Sequence, residues 1–200
     1  MRAYDRKYFD KWYRNPRFRV KSAVELTRQV AFVVAAAEHV LGRTVRTVLD
    51  IGCGEGNWRE PLRRLRPGIH YTGVDASSYV VERYGKSRNI RLGTIDALDD
   101  VRLREEYDLI LCVGVLNYLT PADLRAGLRH VYDRANGLVY LELFAGEDRG
   151  VMGDTRGTRL RPAAWYGARI REAKLVACGL HCYVPDWLRE HTAAMERCGA

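Results

Sequence analysis

Val48-Leu49-Asp50-Ile51-Gly52-Cys53-Gly54-Glu55-Gly56 is the stretch on which the fold turns. A short β-rich run beginning at Val45 ends in an acid. Three glycines follow at alternate positions, and residues 58–65 then read as a helix. Glycine lets the backbone turn tightly and approach a ligand closely. In an open α/β sheet the ligand crevice lies outside the carboxyl ends of the strands. Asp50, Gly52, Cys53, Gly54 and Gly56 are therefore candidate cofactor contacts. A bare strand-to-helix turn accounts for one glycine, but not for three alternating ones behind an acid.

A dinucleotide site is the rival reading. Its G-x-G-x-x-G fingerprint would place the third glycine at position 57, where the chain has Asn57. Asp50 would also repel a pyrophosphate, whereas a carboxylate attracts a ligand carrying a sulfonium and an amino group.

Outward from this stretch, strands and helices alternate. Residues 71–74 form a strand ending at Asp75, and residues 78–84 a short helix. Residues 90–92 are a strand, followed by the loop Gly93-Thr94-Ile95-Asp96-Ala97-Leu98. A strongly apolar strand spans 107–113, a helix with Pro121 in its first turn spans 121–132, and another apolar strand spans 138–144. A glycine-rich polar loop covers 146–158, and a helix 162–173. Residues 175–184 are strand-like, with Gly179 as a bend or bulge, and a final helix spans 185–197. Upstream, Tyr4, Tyr8, Phe9, Trp12 and Tyr13 recur at helical spacing over residues 2–14. Ser22 and Glu25 form a capping box for a helix that stops near Leu41-Gly42. The alternation predicts an α/β, Rossmann-like, doubly wound and mostly parallel sheet of six to seven strands, with helices on both faces and an N-terminal helical extension. It is read as a single domain, with a helical cap (1–44), a core (45–184) and a C-terminal helix (185–200).

Asp75 ends the strand one βαβ unit after the glycines, where an acid accepts hydrogen bonds from ribose hydroxyls. Asp96 could accept one from an adenine amino group. Taken together, these pieces resemble the class I S-adenosylmethionine (SAM)-dependent methyltransferases over residues 45–184, most strongly over 48–75. The resemblance is closest to bacterial small-molecule enzymes. It implies that the glycine loop holds the amino-acid part of SAM, Asp75 the ribose, and Asp96 the adenine side. Ala76, Ala97 and Cys112 complete the expected cofactor set. On the acceptor side the candidates are Tyr8, Trp12, Tyr13, Asn117, Tyr118, Phe144 and Trp165, with Tyr4 and Tyr166 behind them. The N-terminal aromatics would act as a lid, and Glu142 is read as a polar residue near the end of its strand. The acid near Gly114 and the histidine near Asn117 seen in many relatives are absent, so no catalytic base is assigned.

Composition narrows the rest. Of 200 residues, 47 % are hydrophobic and 29 % charged, which is enough apolar material for a core and does not suggest disorder. The net charge of +8 raises an RNA or protein substrate as an alternative. The basic residues alternate with acids, however, so a nucleic-acid partner is not favoured over a small-molecule acceptor. A non-catalytic SAM-binding protein is the third reading. The odd set Cys53, Cys112, Cys178, Cys182 and Cys198 lacks a second ligand pair for zinc, so no metal is expected. Reduced thiols and the lack of an apolar run near the ~20 residues of a membrane span point to a cytoplasmic protein.

Overall fold

The computed structural model describes residues 4–18, 20–150 and 153–191. Seven strands, β1 (Thr47–Ile51), β2 (His70–Asp75), β3 (Ile90–Leu92), β4 (Tyr107–Val113), β5 (Ala135–Glu142), β6 (Leu175–Gly179) and β7 (Cys182–Pro185), form one sheet in the order β3-β2-β1-β4-β5-β7-β6. All run parallel except β7, which is antiparallel to both β5 and β6. The helices are α1 (Arg6–Phe9), α2 (Ala23–Leu41), α3 (Arg59–Leu65), α4 (Ser78–Arg88), α5 (Pro121–Arg134) and α6 (Ala163–Glu172).

Alternation along the central strands sorts the core into two layers. Val48, Leu109, Leu111, Leu138 and Tyr140 pack with Val30, Val33, Val34 and Ala37 of α2 and Leu62 of α3. Their neighbours Leu49, Ile51, Ile110, Cys112, Val139 and Leu141 face the other way, onto Leu124, Leu128 and Val131 of α5 and Tyr166 and Ile170 of α6. Two buried faces explain why β4 reads as a continuous apolar run rather than an alternating one.

Helix starts follow their side-chain chemistry. Ser22 and Glu25 make the reciprocal capping box of α2, which stops at Gly42 in the left-handed conformation. Thr120 and Asp123 do the same for α5, with Pro121 in its first turn. At the foot of the sheet, buried Asp108 accepts both Arg43 Nη1–H and Nη2–H (3.1 and 2.6 Å) and the Arg46 and Thr47 N–H groups (2.7 and 3.1 Å). It thereby ties the entry of β1 to β4.

Two expectations are corrected at the C-terminal end. Residues 175–184 are not one strand but a hairpin, β6 turning into β7 through Gly179, Leu180 and His181 at φ of 88°, 50° and 63°. Leucine and histidine rarely adopt such angles, so the turn left no glycine-pair signal to read. The final helix is a tight 3-10 segment over Asp186–His191, with Pro185 ending β7; residues 192–197 of that expectation lie outside the described residues. At the other end, α1 starts at Asp5, whose carboxylate accepts the Tyr8 N–H, and widens into a π-helical turn over Asp10–Arg14. Residues 2–3 of that helix are likewise outside the described set.

The Asp108 cluster generates a stability prediction. Burial pushes the Asp108 carboxyl up, but Arg43 and the two N–H groups outweigh it and hold it below its usual range. A lowered folded pKa stabilises fully above the ordinary carboxylate value of about 3.9 and is lost as pH falls through the folded value. Asp108→Asn is expected to lower unfolding free energy by about 1–3 kcal/mol at pH 7 in urea titrations, with the gap closing below about pH 4.

Candidate functional site

Because β1 lies between β2 and β4, the order of the sheet reverses there, and the crevice outside the strand ends opens at the glycine loop. Gly52 and Gly54 sit at φ of 67° and 53°, in the left-handed region. Both also have close neighbours. A Cβ on Gly52 would lie 2.1 Å from Val115 Cγ2, and one on Gly54 would lie 2.2 Å from the Tyr13 hydroxyl. The loop folds back against β2, with the Gly52 and Cys53 N–H groups donating to Val74 O at 2.8 and 3.1 Å.

Two cavities meet above this loop. One, of about 240 Å³, is lined by Gly54, Asp75, Ala76, Thr94, Ile95 and Asp96, under Tyr4 and Phe9 of the N-terminal segment. The other, of about 260 Å³, is lined by Asp50, Cys53, Asn57, Trp58, Glu142 and Phe144, with Trp12 and Lys21 across from them. Tyr8, Tyr13, Gly52, Val113, Gly114 and Tyr118 line both and form the junction. A larger cavity of about 490 Å³ lies between α6 and the β6–β7 hairpin and includes none of the glycine-loop residues.

The electrostatics of the paired cavities are set by two carboxylates. Asp75 accepts the Gly54 N–H at 2.7 Å on one oxygen and the Ser77 N–H at 2.9 Å on the other. Each oxygen keeps a second lone pair, the arrangement that two neighbouring hydroxyls of a ligand would fill. Burial pushes the Asp75 carboxyl up against the pull of those N–H groups. Asp50 is more deeply buried and accepts Tyr71 O–H at 2.7 Å. Burial, opposed by that hydrogen bond and reinforced by Asp75, pushes it up to about 7. Among the described residues no basic side chain pairs with either carboxylate. A cation entering the cavities would supply what is missing, since a buried charge is costly without a partner. Cys53 has its thiol pushed well up by burial, Asp50 and Asp75, so it stays protonated and is no nucleophile.

The N-terminal segment closes the cavities from above. Tyr8 and Tyr13 make edge contacts to Phe9, and Phe9 stacks on Tyr79 of α4 at 5.8 Å. Arg14 pairs with buried Glu55 of the glycine loop and with Asp10 at 2.6 Å, which pins the π-helical turn to the loop.

Several sequence expectations land elsewhere. Cys112 is fully buried in the core of β4 and lines neither cavity. Gly56 turns the loop, its N–H donating to Cys53 O at 2.9 Å, and does not reach the cavities. Asp96 lines the smaller cavity, but Ala97 does not. Trp165 lies on α6 between the guanidinium groups of Arg161 and Arg169, 4.3 and 4.6 Å from its ring centre, away from both cavities. Tyr166 belongs to the core and to the far cavity. Asn117 does line the cleft, but its amide is already engaged. It donates to Phe144 O and the Tyr166 hydroxyl, and accepts the Phe144 N–H, cross-linking the loops after β4 and β5. Sequence reasoning passed over Lys21 and Trp58. A lone lysine before a capping box and a tryptophan at a helix start carry no motif, and only the fold brings them to the cavity. Among the described residues no cluster of histidine, cysteine and carboxylate side chains could hold a metal, and no helix is long and apolar enough to cross a membrane.

Comparison with known proteins agrees with this geometry. Residues 49–136 match the family described as a methyltransferase domain. Over 84 residues the chain is 37 % identical to a ubiquinone biosynthesis O-methyltransferase of Chelativorans sp., covering 38 % of this chain and 32 % of that protein. Over 104 residues it is 27 % identical to a malonyl-[acyl-carrier protein] O-methyltransferase of Bacillus cereus, covering 50 % of this chain and 38 % of that protein. The matches thus span well under two thirds of the length of these relatives. The fold superposes on magnesium protoporphyrin IX methyltransferase from Synechocystis, solved with bound S-adenosylhomocysteine (SAH), with a TM-score of 0.63 and 20 % identity over 86 % of this chain and 87 % of that one.

Two outcomes follow from the geometry. Gly54→Ala would strain a left-handed position and displace Tyr13. It is expected to cost about 1–3 kcal/mol of stability and to loosen the N-terminal segment, read as faster amide exchange over α1. For Asp50 the folded pKa is raised, so the carboxylate weakens the ligand-free fold increasingly as pH rises from the usual carboxylate range through about 7. Asp50→Asn should therefore raise the melting temperature of the ligand-free chain at pH 8 but not at pH 4. A constant difference between variant and wild type across that range would contradict the assignment.

Proposed function

We propose that this chain, whose residues 49–136 match the methyltransferase-domain family, is a class I SAM-dependent methyltransferase that binds SAM across the two joined cavities and transfers its methyl group to a small-molecule acceptor. The family's cofactor fits the residues present. Asp75 would take the ribose hydroxyls on its remaining lone pairs, with Ala76 and Asp96 along the adenine side. The glycine loop and Asp50 would hold the amino-acid end, where an ammonium meets the buried carboxylate. The observation that carries this reading is the pair Asp50 and Asp75, two buried acids at adjacent strand ends with no basic partner among the described residues.

When bound, SAM supplies an activated methyl group on a sulfonium. The chain's own part is position and environment. Tyr8, Tyr13 and Tyr118 surround the junction of the cavities, where the methyl group would face the acceptor. Their ring faces favour a nearby cation. Burial and the neighbouring carboxylates push the Tyr13 hydroxyl well up, so it stays protonated, able to donate a hydrogen bond but not to act as a base. Phe9, Tyr4 and Tyr8 exclude water from above, and alignment of the reacting atoms in such a site contributes on the order of 7–11 kcal/mol in well-oriented cases. The acceptor would enter the 260 Å³ cavity between the aromatic walls Trp12, Trp58 and Phe144.

Calorimetric titration with SAM, SAH and NADH tests the reading. SAM and SAH should bind and NADH should not. Asp75→Ala should weaken both adenosyl ligands by about 100-fold or more, the scale of two charge-assisted hydrogen bonds lost. A folded chain that ignores SAM and SAH, or binds them equally well without Asp75, would contradict it.

A further inference from the structure

The 260 Å³ cavity beside the glycine loop contains one polar cluster that the cofactor reading does not use. Lys21 lies in the segment between the N-terminal aromatics and α2, directly before the Ser22 cap. Its Nζ donates to both oxygens of Glu142, at 2.7 and 2.6 Å, and to Gln29 Oε1 at 2.9 Å. Glu142, at the carboxyl end of β5, also accepts Gln29 Nε2–H at 2.6 Å and Tyr140 O–H at 3.2 Å. Burial pushes the Glu142 carboxyl up, yet Lys21, Gln29 and Tyr140 together hold it below its usual range. Glu142 is therefore a fixed anion and a poor base. What it fixes is the lysine.

Resting on the cleft being a SAM site, we propose that Lys21 is the acceptor-recognising cation, and that the acceptor it selects presents an oxyanion, either a carboxylate or an ionised phenol. Three observations support this. First, Lys21 is the one cationic side chain among the described residues lining the 260 Å³ cavity. Second, all three N–H bonds of the ammonium point to Gln29 and the two Glu142 oxygens while Lys21 lines the cavity, so an entering oxyanion would share or take over one of these donors. Third, the side chain is held at its base by a capped helix and at its tip by the cluster. Little freedom is left to lose on binding, which makes the donor a positioned one.

The chemistry balances without a base. The acceptor oxygen's lone pair forms the O–CH3 bond while the S–CH3 bond breaks, with its electron pair staying on sulfur. One negative and one positive charge cancel, and no proton moves. Lys21 would orient the oxyanion beside the junction of the cavities and offset its loss of water.

The test uses the full chain saturated with SAH, titrated calorimetrically with benzoate, with 4-nitrophenolate and with neutral benzamide. Wild type should bind at least one of the two anions about tenfold or more tightly than benzamide, as expected for a charge-assisted hydrogen bond. The preferred anion tells carboxylate from phenolate. Lys21→Met should abolish the preference while leaving SAH affinity within error, with a lower melting temperature because Glu142 loses its partner, and Lys21→Arg should restore part of both. A purely structural lysine would weaken anions and benzamide alike. Absence of anion preference in wild type, its survival in Lys21→Met, or loss of SAH binding in that variant alone would overturn the proposal. Failure of wild type to bind SAH would instead overturn the cofactor reading beneath it.

Discussion

Asp50 and Asp75 end neighbouring parallel strands, and nothing basic among the described residues neutralises them. The rest of the site is arranged around that constraint. Parallel pairing brings Asp50 opposite Gly73, two residues before Asp75, so the strand ends deliver both carboxylates to one crevice. The glycine loop then bends close enough for the Gly54 N–H to reach Asp75, which no residue with a Cβ could do beneath Tyr13. Tyr71 on β2 supplies the one hydroxyl that Asp50 receives. Under the proposed function, a cationic ligand would complete a site built in this way.

The N-terminal segment completes the enclosure rather than the chemistry. Phe9 is almost fully buried against α4, and Arg14 ties the segment to Glu55, so the cap is packed and pinned at separate points. A second polar anchor, Lys21 on Glu142, holds the stretch between cap and α2 against β5. The cap therefore bridges both cavities, which is why its tyrosines, and not residues of the sheet alone, line the junction where a methyl group would move.

Much of this was legible in the sequence, for physical reasons that differ by element. The acid and alternating glycines announced a strand, a left-handed loop and a helix because only glycine tolerates those angles beside Val115 and Tyr13. The Ser22–Glu25 capping box formed as read, since it is local chemistry; the second box, Thr120 with Asp123, emerged only in the structure. The β6–β7 hairpin was missed because Leu180 and His181 occupy turn positions that usually show as glycine or asparagine. Cys112 lies in the core because the face a strand residue takes depends on register, which the sequence alone does not show. Asn117 and Trp165 looked like ligand contacts by type, but tertiary partners had claimed them. Lys21 had no sequence signal at all. Its role depends on Glu142, 121 residues away.

The account stands most directly on the protonation of Asp50. A cation bound against a carboxyl whose folded pKa is about 7 must lower that pKa and release protons. The decisive measurement is the heat of SAH binding at pH 7 in buffers of different ionisation enthalpy, which yields the number of protons released. The account predicts up to about half a proton for wild type and close to none for Asp50→Asn. Equal release by the two proteins, or proton uptake, would contradict it.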